Sequence, residues 1–177
     1  MRGFAIPSIL GLAFVAGGCA SHGSSTGGGS SAHALLEARS GSQVGGTLQL
    51  HAMTDGVHVS GRVTGLVPNS DHGFHIHEKG DCSAADATSA GGHFNPTAQP
   101  HGKVGAAPHH LGDQMNLHAE ADGSATVDAY FAGVSLGSGQ PNDVAGRALV
   151  VHAAPDDYTS QPAGNAGKRV ACGVIAK

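Results

Sequence analysis

The chain's 177 residues include thirteen histidines against nine Lys and Arg, with a formal charge of −4, no Trp and only 4% aromatics. No block of basic residues is present of the kind that grips phosphates, which sets nucleic acid aside as a partner. Twenty-nine glycines and eight prolines among short apolar runs argue against a helical bundle and for one turn-rich β domain with an extension at one end.

The chain opens with "MRGFAIPSILGLAFVAGGCAS", where Arg2 precedes an apolar run from Phe4 to Ala16 that ends in small residues. This is the layout of a secretory signal, and the run is too short for a membrane span. Ala16, Gly17 and Gly18 before Cys19 resemble a bacterial lipoprotein cleavage site, although leucine is commoner where Ala16 stands. There Cys19 becomes the lipidated first residue of the mature protein and anchors it to a membrane. Ordinary signal cleavage just after Cys19 is the alternative. Either product is exported to an oxidising compartment, the periplasm or cell envelope. Residues 1–18 are therefore read as the signal, 19–33 as a tether rich in Gly and Ser, and 34–177 as the folded domain.

Three cysteines in an exported chain is an odd number. If Cys19 carries lipid, Cys82 and Cys172 remain as a pair; the sequence alone does not establish the bond. A bridge over a loop of this length would stabilise the fold by about 4–5 kcal/mol on the loop-entropy picture.

From Ala34 onward the apolar residues alternate. "TLQLHAM" (47–53) and "VHVSGRV" (57–63) predict two strands joined through "TDG". "GFHIHEKGDC" (73–82) predicts a strand with His75 and His77 on one face and Ile76 on the other. "MNLHAEADGSATVDAYF" (115–131) predicts a hairpin turning at Asp122-Gly123, and "GRALVVHA" (146–153) and "VACGVI" (170–175) two further strands. No stretch of eleven or more residues has convincing helical periodicity. The pattern implies an antiparallel sandwich or barrel. Residues 79–114 and 154–169 lack either period, and unstructured loops of that length need a function to order them.

The first of these loops contains His93, His101, His109, His110 and Asp113, and His152 ends the apolar run "ALVVH". With His75 and His77, these are ligands enough for two metals. Imidazole suits copper and zinc, and one carboxylate beside three histidines suits tetrahedral zinc.

The motifs "GFHIHEKGDC", "SAGGHFNP", "HG" at 101–102, "HLGD" at 110–113, "LVVH" at 149–152 and "GNAGKRVACGVI" at 164–175 occur in one order across residues 44–177. In this the chain resembles the copper–zinc superoxide dismutases of the bacterial periplasmic type. The resemblance implies an all-β Greek-key antiparallel barrel or sandwich, immunoglobulin-like, with two long functional loops. It implies dismutation of superoxide to O₂ and hydrogen peroxide, with one copper and one zinc per subunit. His75, His77, His93 and His152 would hold copper; His93, His101, His110 and Asp113 would hold zinc, with His93 shared. Asp156 would link a ligand histidine on each side. Arg169 would dock the superoxide anion beside the copper, and His93 would take up and return a proton. Cys82 and Cys172 match the family disulfide. Monomers and homodimers both fit the resemblance.

Other histidines read more simply. His72 is expected to be a hydrogen-bonded structural residue, His109 a neighbour of the ligand His110, and His22, His33, His51, His58 and His118 surface or tether residues. The segment from Ala153 to Lys168 lacks the acidic and lysine cluster that steers substrate in eukaryotic members, leaving Lys79, Lys103, Lys168 and Arg169 for that task. The competing readings are a metal-buffering domain without turnover and a structural sandwich. All four copper-side histidines and Arg169 favour the enzyme over the first, and the histidines have no purpose under the second.

Overall fold

The computed structural model describes Met1, Gly3 and residues 29–177. The rest of the expected signal, Cys19 and tether residues 20–28 lie outside the described residues. Among those described, the regular structure is nine strands and one short 3-10 turn, Thr88–Ala90. The strands are β1 (Ser31–Ala38), β2 (Gly45–Ala52), β3 (Gly56–Thr64), β4 (Asp71–His72), β5 (Phe74–His77), β6 (Leu117–His118), β7 (Ala125–Ala132), β8 (Ala148–His152) and β9 (Arg169–Ala176).

Seven strands form one antiparallel sheet in the order β5-β8-β9-β1-β2-β3-β7. Along β1, β2, β3 and β7, alternate residues such as Ala34, Leu48, Leu50, Val59, Val127 and Phe131 are buried, while Gln49, His51 and Asp128 face outward. The sheet curls. Phe74 on one edge strand meets Phe131 on the other edge strand edge-to-face, with ring centroids 6.1 Å apart. Burying one face of so long a sheet against itself yields a half-barrel core of Val, Leu, Ala and Phe, which is the all-β architecture expected.

β5 and β8 differ from their neighbours in being buried on both faces. Phe74 and Ile76 join the barrel core, while His75 and His77 point to the opposite face, beneath the two long loops. The first loop is fastened by the Cys82–Cys172 disulfide and covers a second small apolar cluster of Ala87, Ala90, Ala148, Val150 and Cys172.

Two boundaries differ from the sequence reading. β1 begins at Ser31, inside the segment read as tether, with Ser31 paired to His51 and His33 to Ala176. Its inward residues at the start are only Ala32 and Ala34, which give little apolar contrast against Ser and His. The turn at Asp122-Gly123 is present, but Leu117–His118 pairs with β4 as a separate two-stranded sheet, not with β7. Pairing between segments about 45 residues apart leaves no local trace in a sequence.

Candidate metal centre

β5 supplies His75 and His77, β8 ends in His152, and the first long loop brings His93 alongside through an isolated bridge between His77 and His93. Phe94 N donates to Ile76 O, and Ile76 N donates to Gly112 O, so loop backbone lines the edge of β5 opposite β8. Two buried groups result. His75, His77, His93 and His152 offer ligand atoms all within 4.8 Å of one another, as do His93, His101, His110 and Asp113. His93 belongs to both. Every residue assigned to a metal on sequence grounds lies in one of these groups, and His109 lies in neither.

Hydrogen bonds fix which nitrogen of each ring is free. His77 Nδ1 donates to Gly91 O at 2.9 Å, leaving the Nε2 lone pair to face His152 Nε2 at 3.4 Å. His75 Nε2 donates to Asp156 Oδ2 at 2.8 Å, which leaves Nδ1. His93 Nδ1 lies 2.8 Å from Asp113 Oδ1, which leaves Nε2. His75 Nδ1 and His93 Nε2 are buried without a hydrogen-bond partner among the described residues. Orphaned buried nitrogens are costly, and a cation placed between them satisfies them. The donors on this side are all imidazoles, a set suited to copper.

In the second group Asp113 Oδ2 is occupied by the backbone N–H of Gly102 and His110. Its Oδ1 faces three ring nitrogens, His93 Nδ1 at 2.8 Å, His101 Nδ1 at 3.0 Å and His110 Nδ1 at 3.2 Å. The last is close but not aligned as a hydrogen bond. Zinc bonds of about 2.0–2.1 Å at tetrahedral angles put neighbouring ligand atoms about 3.3 Å apart, close to the spacing of Asp113 Oδ1 from these three nitrogens.

Asp156 joins the groups, accepting from His75 through Oδ2 and from His101 Nε2 through Oδ1 at 2.9 Å. Burial favours the neutral forms of His93 and His152 and carries them down to about 4 and about 3, reinforced by His75 and other neighbouring histidines. His77 is lowered well below its ordinary value, again chiefly by burial. These lone pairs are available at neutral pH. His101 is the opposite case. Burial pulls it down, but Asp113 and Asp156 outweigh that and raise it to about 9. Burial would raise both carboxyls, yet their histidine hydrogen bonds hold them below the usual range.

The sequence profile of the copper/zinc superoxide dismutase family matches residues 44–175. The chain belongs to that family. It is 43% identical to superoxide dismutase [Cu-Zn] 2 of Aquifex aeolicus, over 81% of this chain and 85% of that one. It is likewise 43% identical to superoxide dismutase [Cu-Zn] of Caulobacter vibrioides, over 82% and 85%. Among solved structures, the SOD-like protein from Bacillus subtilis superposes with a TM-score of 0.73 at 36% identity, covering 81% of this chain and 97% of that one. The copper/zinc superoxide dismutases bind copper and zinc and dismute superoxide, and the donor sets described here fit both metals.

Arg169 stands beside the copper-side group of this superoxide dismutase fold, its guanidinium donating to Ala87 O and Gly91 O, both at 2.7 Å. It lines, with His152, an open pocket of about 240 Å³. Gly91 O thus accepts from both His77 and Arg169. Gly91 has φ +75° and ψ −156°, a backbone conformation essentially confined to glycine, and this is how it presents the carbonyl.

Two side-chain amides escaped the sequence reading. Asn116 pairs both ways with the Asp156 backbone, Nδ2 to O at 3.0 Å and N to Oδ1 at 2.8 Å. Gln161 pairs both ways with the His101 backbone, each bond 2.9 Å. Neither has a motif or period around it; each acts on a residue 40 or 60 positions away. His72 has the structural role expected, bonded to His152 O and to Ser70. His58 and His118 are surface partners of Asp128 and Asp71.

Proposed function

We propose that this chain is an exported superoxide dismutase protecting the cell envelope, with copper held by His75, His77, His93 and His152 and zinc by His93, His101, His110 and Asp113. The observation that carries the assignment is His93. It is the one residue common to both groups, with Nδ1 turned to the zinc-side carboxylate and the orphaned Nε2 turned to the copper side.

Copper at the first group supplies the one-electron couple that both half-reactions need. The residues do the rest. Arg169, held by Ala87 O and Gly91 O, docks the anion with a permanently charged planar donor at the pocket floor. His93 Nε2 would take a proton from solvent in one half-cycle and give it to the departing peroxide in the next, the second proton of hydrogen peroxide coming from solvent. Asp156 holds the ring orientations of His75 and His101.

Export rests on the signal layout of residues 1–18, and the Cys82–Cys172 disulfide fits an oxidising compartment. Lipidation at Cys19 with residues 20–30 as tether completes the reading.

The test is expression of the full chain with fractionation, N-terminal mass and dismutation assay of the copper- and zinc-loaded product. A membrane-bound product with acylated Cys19 is expected, with a rate at least about tenfold lower in Arg169→Ala. A cytoplasmic product with residues 1–18 intact would overturn the export reading. An unchanged rate in Arg169→Ala would overturn the docking role.

A further inference from the structure

We propose that Gln161 is a positioning residue that fastens the zinc-side histidine His101 to the wall of the pocket over Arg169, so that metal retention and anion access are set by one amide. This rests on the metal assignment proposed above.

The His101 backbone lies in a stretch without regular structure, so nothing periodic holds it. Gln161 supplies what a paired strand would. Its Oε1 accepts from His101 N and its Nε2 donates to His101 O, both at 2.9 Å. With the backbone held at both polar groups, the ring is confined between Asp113 Oδ1 and Asp156 Oδ1. Gln161 also lines the pocket shared by His152 and Arg169. The rest of its loop is braced internally by Asp157, whose carboxylate accepts from Thr159 N, Ser160 N and Ser160 Oγ. At the loop's far end Gly164 has φ +67° and lies so close that a Cβ would collide with Asp156 Oδ1. The loop is therefore a compact piece with Gly164 against the Asp156 link, Gln161 on the His101 backbone, and its outer side on the pocket.

Asn165 provides the contrast. It lines the same pocket, but its side chain bonds only within the loop, to Asp157 and Ser160. A change at Asn165 alters the wall without touching the zinc ligand; a change at Gln161 alters both.

The experiment uses the full chain loaded with copper and zinc. Two readouts are taken on wild type, Gln161→Met, Gln161→Glu and Asn165→Gly: the rate of zinc loss to a chelator, and azide affinity followed in the copper absorption spectrum. Met keeps the length of Gln without either hydrogen bond. Gln161→Met is expected to lose zinc about tenfold faster and to shift azide affinity at least about threefold. Gln161→Glu, which keeps the acceptor for His101 N, is expected to lose zinc more slowly than the Met variant. Asn165→Gly is expected to move azide affinity alone. Zinc loss from Gln161→Met at the wild-type rate, with wild-type zinc bound one to one, would overturn this proposal and leave the metal assignment standing. A wild-type chain that takes up no zinc would overturn both.

Discussion

At the scale of single residues, the group of His75, His77, His93 and His152 is built by giving each ring one committed nitrogen and one turned to its neighbours. Gly91 O commits His77 Nδ1, and Asp156 commits His75 Nε2. His101 differs, with a carboxylate oxygen on each nitrogen, and in the metal-free protein both nitrogens carry protons up to about pH 9. Its raised value adds metal-free stability that is fully present below about pH 6.5 and is lost as pH rises through about 9. Zinc held by His101 as proposed would compete for the Nδ1 proton. Zinc binding to the metal-free chain at pH 7.5 is therefore expected to release about one proton from His101, falling towards none above pH 9. Calorimetry in buffers of different ionisation enthalpy measures that number. A proton count near zero at pH 7.5 would mean that His101 is neutral before zinc arrives. His93 and His152 work in the other direction, their lowered values costing metal-free stability as pH falls from about 6.5 towards 4 and 3.

At the scale of elements, the first long loop is the part that must be held in place. Cys82–Cys172 ties it to β9, and Arg39 Nε donates to Cys82 O at 2.8 Å. The same loop presents Ala87 O and Gly91 O to Arg169. The bond closes a loop with a sequence separation of 90. Its removal in Cys82→Ser/Cys172→Ser is expected to cost about 4–5 kcal/mol, lowering Tm by about 10–15 °C. Dismutation should fall as well, because Arg169 loses its cradle. A variant as active and as heat-stable as wild type would show that the loop is held by its backbone bonds alone.

How much of these elements was legible follows from what each leaves in the sequence. β2 and β3 were plain because β-branched and apolar residues alternate with polar ones, and β5 because His75 and His77 flank Ile76. The ligands came from spacing matched to a known family. β4 and β6 were not legible, being two residues each and paired only with one another. Nor were the Asn116 and Gln161 clamps, since an amide that pairs with backbone 40 or 60 residues away has no periodic neighbour to announce it.

At the scale of the whole molecule, a chain of formal charge −4 must attract an anion. Local cations have to offset that field. Lys168 lines a second surface recess with Arg169, and Lys103 lies 5.5 Å over the Tyr158 ring on the second loop. Lys79 is exposed at the base of the first loop. Replacing Lys79, Lys103 and Lys168 together by Ala is expected to lower kcat/KM several-fold at low ionic strength and to flatten its salt dependence. A rate and salt slope identical to wild type would leave Arg169 as the sole source of attraction.

The central claim is that His93 serves both metals, and one comparison tests it most directly. Wild type and His93→Ala are loaded with copper and zinc, and bound metal and dismutation rate are measured on the same samples. Wild type is expected to hold one of each metal and to turn over rapidly. His93→Ala is expected to retain zinc poorly and to lose dismutation by about 100-fold or more, since one substitution removes the residue common to both groups and the proposed proton carrier. A His93→Ala protein that keeps both metals and dismutes superoxide at the wild-type rate would contradict the claim.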